Sequence, residues 1–126
     1  MLTLICGLPR AGKTTYSEKY DNVIHLDMCG AYEGVIHNIR GKSEDIIVDG
    51  VYQNRYLRGR LIKEYKGNGL KCIWLDTPQE VRCTRRGWNK GCDFPFEPPT
   101  LDEGWDEIII IRGDDNVECI SRKTED

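Results

Sequence analysis

No stretch of this 126-residue chain approaches the ~20 consecutive apolar residues that a membrane span requires, and its start lacks a basic segment followed by an apolar one. The expectation is a cytoplasmic protein with no membrane partner. An excess of positive charge is missing too: 18 Lys and Arg stand against 21 Asp and Glu, for a net charge of −3. Broad, nonspecific duplex binding needs a basic face that displaces counterions, so that class is excluded, although a local cluster of arginines is not. The six cysteines contain no CxxC pair, and Cys6 and Cys72 lie inside apolar runs. Without metal-ligand spacing they read as reduced thiols, with neither a disulfide framework nor a structural metal. Internal repeats and low-complexity linkers are also lacking. What remains is a globular composition, 39% hydrophobic and 31% charged. Its length suits one compact domain over residues 1–126, which buries roughly two-thirds of the surface of its unfolded chain.

Short apolar runs alternate with helix-length stretches. Residues 2–6, 23–26, 46–48, 70–75 and 107–111 read as strands. They are apolar at successive positions, not at every second one, as expected of parallel strands covered on both faces. A helix is predicted from near Gly12 to before Asp21. Another lies between Gln53 and Lys66, where Leu57, Leu61 and Tyr65 recur every four residues, and Gly67, Asn68 and Gly69 end it. Thr77, Pro78 and Glu80 read as N-cap, first helical position and capping-box partner of a further helix. A last helix is predicted over residues 116–121, followed by a charged tail expected to fray. Strand–helix alternation of this kind predicts a doubly wound α/β domain with right-handed crossovers.

Residues 7–14 spell GxxxxGKT between a strand and a helix. Gly7 and Gly12 let the backbone wrap a phosphate, and the loop between them, Pro9 and Ala11 included, would present its amides and the following helix N-terminus to a nucleoside triphosphate. Lys13 would reach the β- and γ-phosphates, Thr14 would ligate Mg²⁺ and Thr15 would donate to the α-phosphate. Two neighbouring strand ends carry carboxylates that open onto the same crevice. Asp27 is placed to take a proton from an attacking hydroxyl, and Asp49 to orient an acceptor or hold metal-bound water. On the helix opened by Thr77, Arg82, Arg85 and Arg86 share one face by their i, i+3, i+4 spacing. Such guanidiniums closing over a transferring phosphoryl group stabilise its charge, Arg82 and Arg86 as catalytic groups and Arg85 beside the substrate.

With this loop, Asp27, Asp49 and the arginine run in that order, the chain resembles the 5′-hydroxyl polynucleotide kinase type of P-loop kinase. The resemblance implies a three-layer α/β sandwich around a five-stranded parallel sheet of order 2-3-1-4-5, with ATP as donor and Mg²⁺ as its metal. It places Asp27 as general base, Asp49 at the acceptor site and Arg82 on the donor phosphates. It also covers residues 96–108, a segment common in kinases of this group. Where that family carries an acceptor-gripping arginine, three residues after the base, this chain has Gly30, which leaves Arg40 or Arg55 as replacements. Three readings follow: a kinase of polynucleotide 5′-hydroxyl ends, a kinase of a small acceptor such as a nucleoside, nucleotide or sugar, and an ATP-binding module without turnover. His25 and His37 carry no partner pattern and read as structural or exposed. Trp74 and Trp105 read as core, and Trp88 as a candidate for stacking on a base.

Overall fold

The computed structural model describes residues 1–113 and 116–121. The elements run β1 (Leu2–Cys6), α1 (Lys13–Ser17), β2 (Val23–His25), α2 (Leu26–Cys29), α3 (Tyr32–Ile39), β3 (Ile46–Gly50), α4 (Arg55–Glu64), β4 (Leu70–Leu75), α5 (Gln79–Arg82), β5 (Glu107–Ile111) and β6 (Val117–Ser121). Among the described residues they form one sheet of six strands in the order β2-β3-β1-β4-β5-β6. The first five strands are mutually parallel and stand in the order 2-3-1-4-5. The expected five-stranded, all-parallel sheet is therefore corrected by an added sixth strand.

That sixth strand replaces the helix expected over residues 116–121. β6 pairs antiparallel with β5, Ile109 opposite Cys119. The Arg112 amide donates to the Asn116 carbonyl at 2.9 Å and closes the turn. The free edge of β5 would otherwise show a row of unpaired amides and carbonyls, which a short return strand covers. The tail beyond Ser121 lies outside the described residues.

Successive residues of β1 face opposite layers. Leu2, Leu4 and Cys6 join a large core with Val35, Ile36 and Ile39 of α3, Leu61 of α4, and Trp105. Ile5 joins a smaller one with Ala11, Ile73 and Leu75, flanked by Tyr16 of α1. Helices thus cover both faces, but α1 spans only five residues, which leaves its face partly open. Leu61 and Tyr65 of the predicted stripe are buried. The Asn54 side chain caps α4 by accepting from the Leu57 amide at 2.9 Å. Tyr65 in extended conformation ends that helix ahead of Gly67. The six cysteines are free thiols; the Cys6 and Cys72 sulfurs lie 3.7 Å apart, and burial pushes the Cys72 thiol up. No helix among the described residues is long and apolar enough to cross a membrane.

Candidate active site

The glycine-rich loop leaves β1 at Gly7, whose φ is +155°. A Cβ there would stand 2.7 Å from the Leu75 carbonyl oxygen, so β4 excludes any side chain at this position. Arg10 and Gly12 also take positive φ, 68° and 105°. Neighbouring segments brace the loop from outside. The Thr77 hydroxyl donates to the Ala11 carbonyl at 2.7 Å, and Arg85 Nη1 donates to the Arg10 carbonyl at 2.7 Å. Lys13 folds back over the loop, its Nζ donating to the Gly7 and Leu8 carbonyls at 2.9 and 3.0 Å. Burial pulls the Lys13 pKa from 10.5 down to about 8, against the opposing pull of Asp49 and Asp27.

Both carboxylates come to this loop. β2 ends at His25, one residue earlier than expected, and Asp27 sits exposed in the first turn of α2. Asp49 ends buried on β3, its Oδ2 2.8 Å from His25 Nδ1. A cleft of about 1310 Å³ joins them. It is lined by Pro9, Ala11, Gly12, Lys13, Thr14 and Thr15 of the loop, by Asp27 and Asp49, and by Arg85 and Arg86. Arg10, Lys19 and Arg112 line it as well. Although the chain is acidic overall, six basic side chains thus face two carboxylates here. Arg112 is partly neutralised by Asp76 at 3.4 Å and Glu118 at 3.1 Å.

Arg82 does not line that cleft. α5 stops at Arg82 itself, so Arg82, Arg85 and Arg86 do not ride one helical face as expected. The helix is a single turn, and the expected capping box does not form: Pro78 is the N-cap, and the Thr77 hydroxyl is committed to Ala11. Arg82 is buried, with Nη2 2.7 Å from Asp93, Nε donating to the Thr77 carbonyl at 3.0 Å, and Nη1 3.5 Å from the Pro9 carbonyl. It stands behind the loop and ties it to the segment around Asp93.

The two candidate acceptor arginines also stand elsewhere. Arg40 pairs with Glu64 and Arg55 with Asp102, both at 3.2 Å, and neither lines the cleft. Gly30 takes φ +81° at the C-cap of α2, with open space around it. Trp88 is half-buried, with its indole nitrogen unpartnered among the described residues. The sequence reading missed His25, Thr77 and Arg10 as neighbours of the site.

No protein-family model matches the chain, and no curated protein matches it in sequence. Its fold is similar to that of a sugar kinase from Janibacter sp. HTCC2649, with a TM-score of 0.60 and 16% identity over 88% of this chain and 84% of that one. At that identity the likeness is one of fold.

Proposed function

We propose that this protein is a nucleoside-triphosphate-dependent kinase that transfers the γ-phosphoryl group to a hydroxyl of a small molecule. The observation that carries the reading is a single cleft shared by the lysine-bearing glycine-rich loop, two carboxylates and the Arg85 and Arg86 guanidiniums. Lys13, Arg10, Arg85 and Arg86 meet the polyphosphate of ATP, and the loop amides hold it. The Thr14 hydroxyl and the Asp49 carboxylate are hard oxygen donors on that cleft and fit Mg²⁺, which when bound screens the phosphate charge. Asp27 takes the proton of the acceptor hydroxyl as its oxygen attacks the γ-phosphorus. The bond from that phosphorus to the β–γ bridging oxygen breaks, and ADP leaves with the electron pair. Lys13 and Arg86 offset charge on the equatorial oxygens. Arg82 acts through the loop by holding the Pro9 carbonyl and the Asp93 segment.

A second reading, transfer to the 5′-hydroxyl of a polynucleotide, draws on the order of the loop, Asp27, Asp49 and the arginines. Gly30 in open space, and Arg40 and Arg55 engaged with carboxylates away from the cleft, favour the small acceptor. Incubation with γ-labelled ATP, Mg²⁺ and a panel of glycerol, D-ribose, D-glucose, adenosine, D-gluconate and a 5′-hydroxyl oligonucleotide separates them. Label on a small molecule is expected. Label confined to the oligonucleotide establishes the second reading, and tight ATP binding with no label anywhere leaves a binding module.

The lysine supplies an independent check. A bound phosphate favours the ammonium form of Lys13, which burial holds at about 8 instead of 10.5. Between those values the nucleotide-free loop carries fewer protons than the loaded one, so ATP affinity should fall as pH rises through 8. Calorimetry in buffers of different ionisation enthalpy should register about half a proton taken up per ATP at pH 8. Lys13→Met should abolish that uptake. Binding without uptake by the wild type would put the phosphates out of reach of Lys13.

A further inference from the structure

His25 plays no part in the chemistry above, yet its surroundings are specific. Across the parallel β2–β3 pair it is the register partner of Asp49, and its Nδ1 stands 2.8 Å from Asp49 Oδ2. A carboxylate only accepts, so the ring nitrogen facing it carries the proton. In a neutral imidazole the other nitrogen, Nε2, is then left with a lone pair. Asp49 is buried, with 8% of its side chain exposed, whereas His25 keeps 33%. His25 lines a second pocket, about 340 Å³, formed by residues of α1, the turn after it and β2.

The second pocket differs in character from the main cleft. Thr14, Glu18, Tyr20, Asn22 and His25 line it, and the lining contains no lysine or arginine. Thr14 also lines the main cleft, so this one residue borders both cavities. At about 340 Å³ the pocket is at the small end of the range for ligand sites. A phosphate or carboxylate group entering it would meet the Glu18 carboxylate with no cation to offset it. Hydroxyl groups suit it: they donate to a carboxylate and to a bare imidazole nitrogen, and they accept from a side-chain amide.

The geometry points to this pocket as the acceptor subsite, in which Nε2 of His25, its tautomer fixed by Asp49, accepts a hydrogen bond from a small neutral polyol or sugar. The inference rests on the kinase reading and adds the chemical class of the acceptor. The pocket holds one end of the molecule and leaves a further hydroxyl to enter the main cleft. His25 binds substrate in this scheme, and Asp49 positions His25.

With only two histidines in the chain, nitrogen NMR of the imidazoles reads the tautomer directly in mildly alkaline buffer. His25 is expected as the Nδ1–H form, and Asp49→Ala should return it to the Nε2–H form common for free imidazole. An Nε2–H form or an imidazolium in the wild type overturns the assignment. In the labelling panel, label is expected on glycerol, D-ribose, D-glucose or adenosine. For that acceptor His25→Asn, which keeps a donor toward Asp49 but has no acceptor atom at the Nε2 position, should raise KM at least about tenfold, with kcat and the KM for ATP little changed. An unchanged acceptor KM overturns the proposal, as does label confined to D-gluconate, while the small-molecule kinase reading stands; label confined to the oligonucleotide overturns both. Label on nothing overturns the kinase reading and the acceptor subsite with it.

Discussion

Asp27→Asn is expected to slow phosphoryl transfer by about a hundredfold to ten-thousandfold, the range of a lost general base, with ATP affinity left within about twofold. The substitution keeps the shape of the side chain and removes its basicity. Asp27 is exposed in the first turn of α2, where a carboxylate can also serve only to favour the helix N-terminus. Those two roles predict different outcomes. A helix-end carboxylate contributes about 0.3–1 kcal/mol of stability, so its loss lowers the melting temperature by a few degrees and leaves turnover alone. A general base loses kcat with little change in melting temperature. Initial rates, calorimetric ATP binding and a melting curve on one preparation distinguish them. Wild-type turnover in Asp27→Asn, with a collapse in Asp49→Asn, would move the base to Asp49, whose Oδ2 already contacts His25.

The parts of this site that the sequence made legible are those whose chemistry is local. The loop is written in consecutive residues. Asp27 and Asp49 follow strands that can be read because parallel strands covered on both faces are apolar at successive positions. What could not be read depends on register and on competition between partners. His25 meets Asp49 only because β2 and β3 align those two positions, and nothing within one strand encodes the alignment. The pattern threonine, two residues, glutamate occurs at Thr77–Glu80 and again at Thr100–Glu103. By spacing alone the first is a capping box as well. The second forms one, with the Thr100 amide donating to Glu103 Oε2 at 3.2 Å. The Thr77 hydroxyl is taken instead by the carbonyl of Ala11, 66 residues earlier in the chain. α5 ends after one turn and Arg82 is buried against Asp93, which helical spacing alone does not contain.

Arg58→Leu is expected to cost about 3–5 kcal/mol of stability and roughly 10–20 °C of melting temperature. Arg58 is fully buried. Its Nε and Nη2 meet the two carboxylate oxygens of Glu103 at 2.8 and 2.9 Å, Nη1 donates to the Tyr52 carbonyl at 2.9 Å, and Nη2 reaches the Pro98 carbonyl at 3.3 Å. One guanidinium therefore joins α4, the turn three residues after Asp49, and the chain that leads into β5. Leucine fills part of the volume but strands the Glu103 carboxylate, leaving it the Trp105 indole N–H at 3.0 Å and the Thr100 amide. By contrast, the neighbouring Arg55–Asp102 pair is solvent-exposed, and Asp102→Ala should leave the melting temperature nearly unchanged. The pH dependence gives a sharper test. Burial alone would raise the Glu103 pKa, but in the wild type Arg58 holds it below the ordinary 4.5. Its contribution is therefore complete above 4.5 and is lost only as pH falls through the lower folded value. In Arg58→Leu only the Trp105 and Thr100 donors still oppose burial, the largest influence on this carboxyl, so the folded pKa is expected above the unfolded one and the native state to bind the extra proton. The variant should gain stability relative to the wild type on acidification from pH 7 toward about 5, where the Glu103 contribution of the wild type is constant. Urea titrations of both proteins across that interval read the difference. Parallel pH profiles, or a loss under about 1 kcal/mol, would show that the bidentate pair contributes little to the fold.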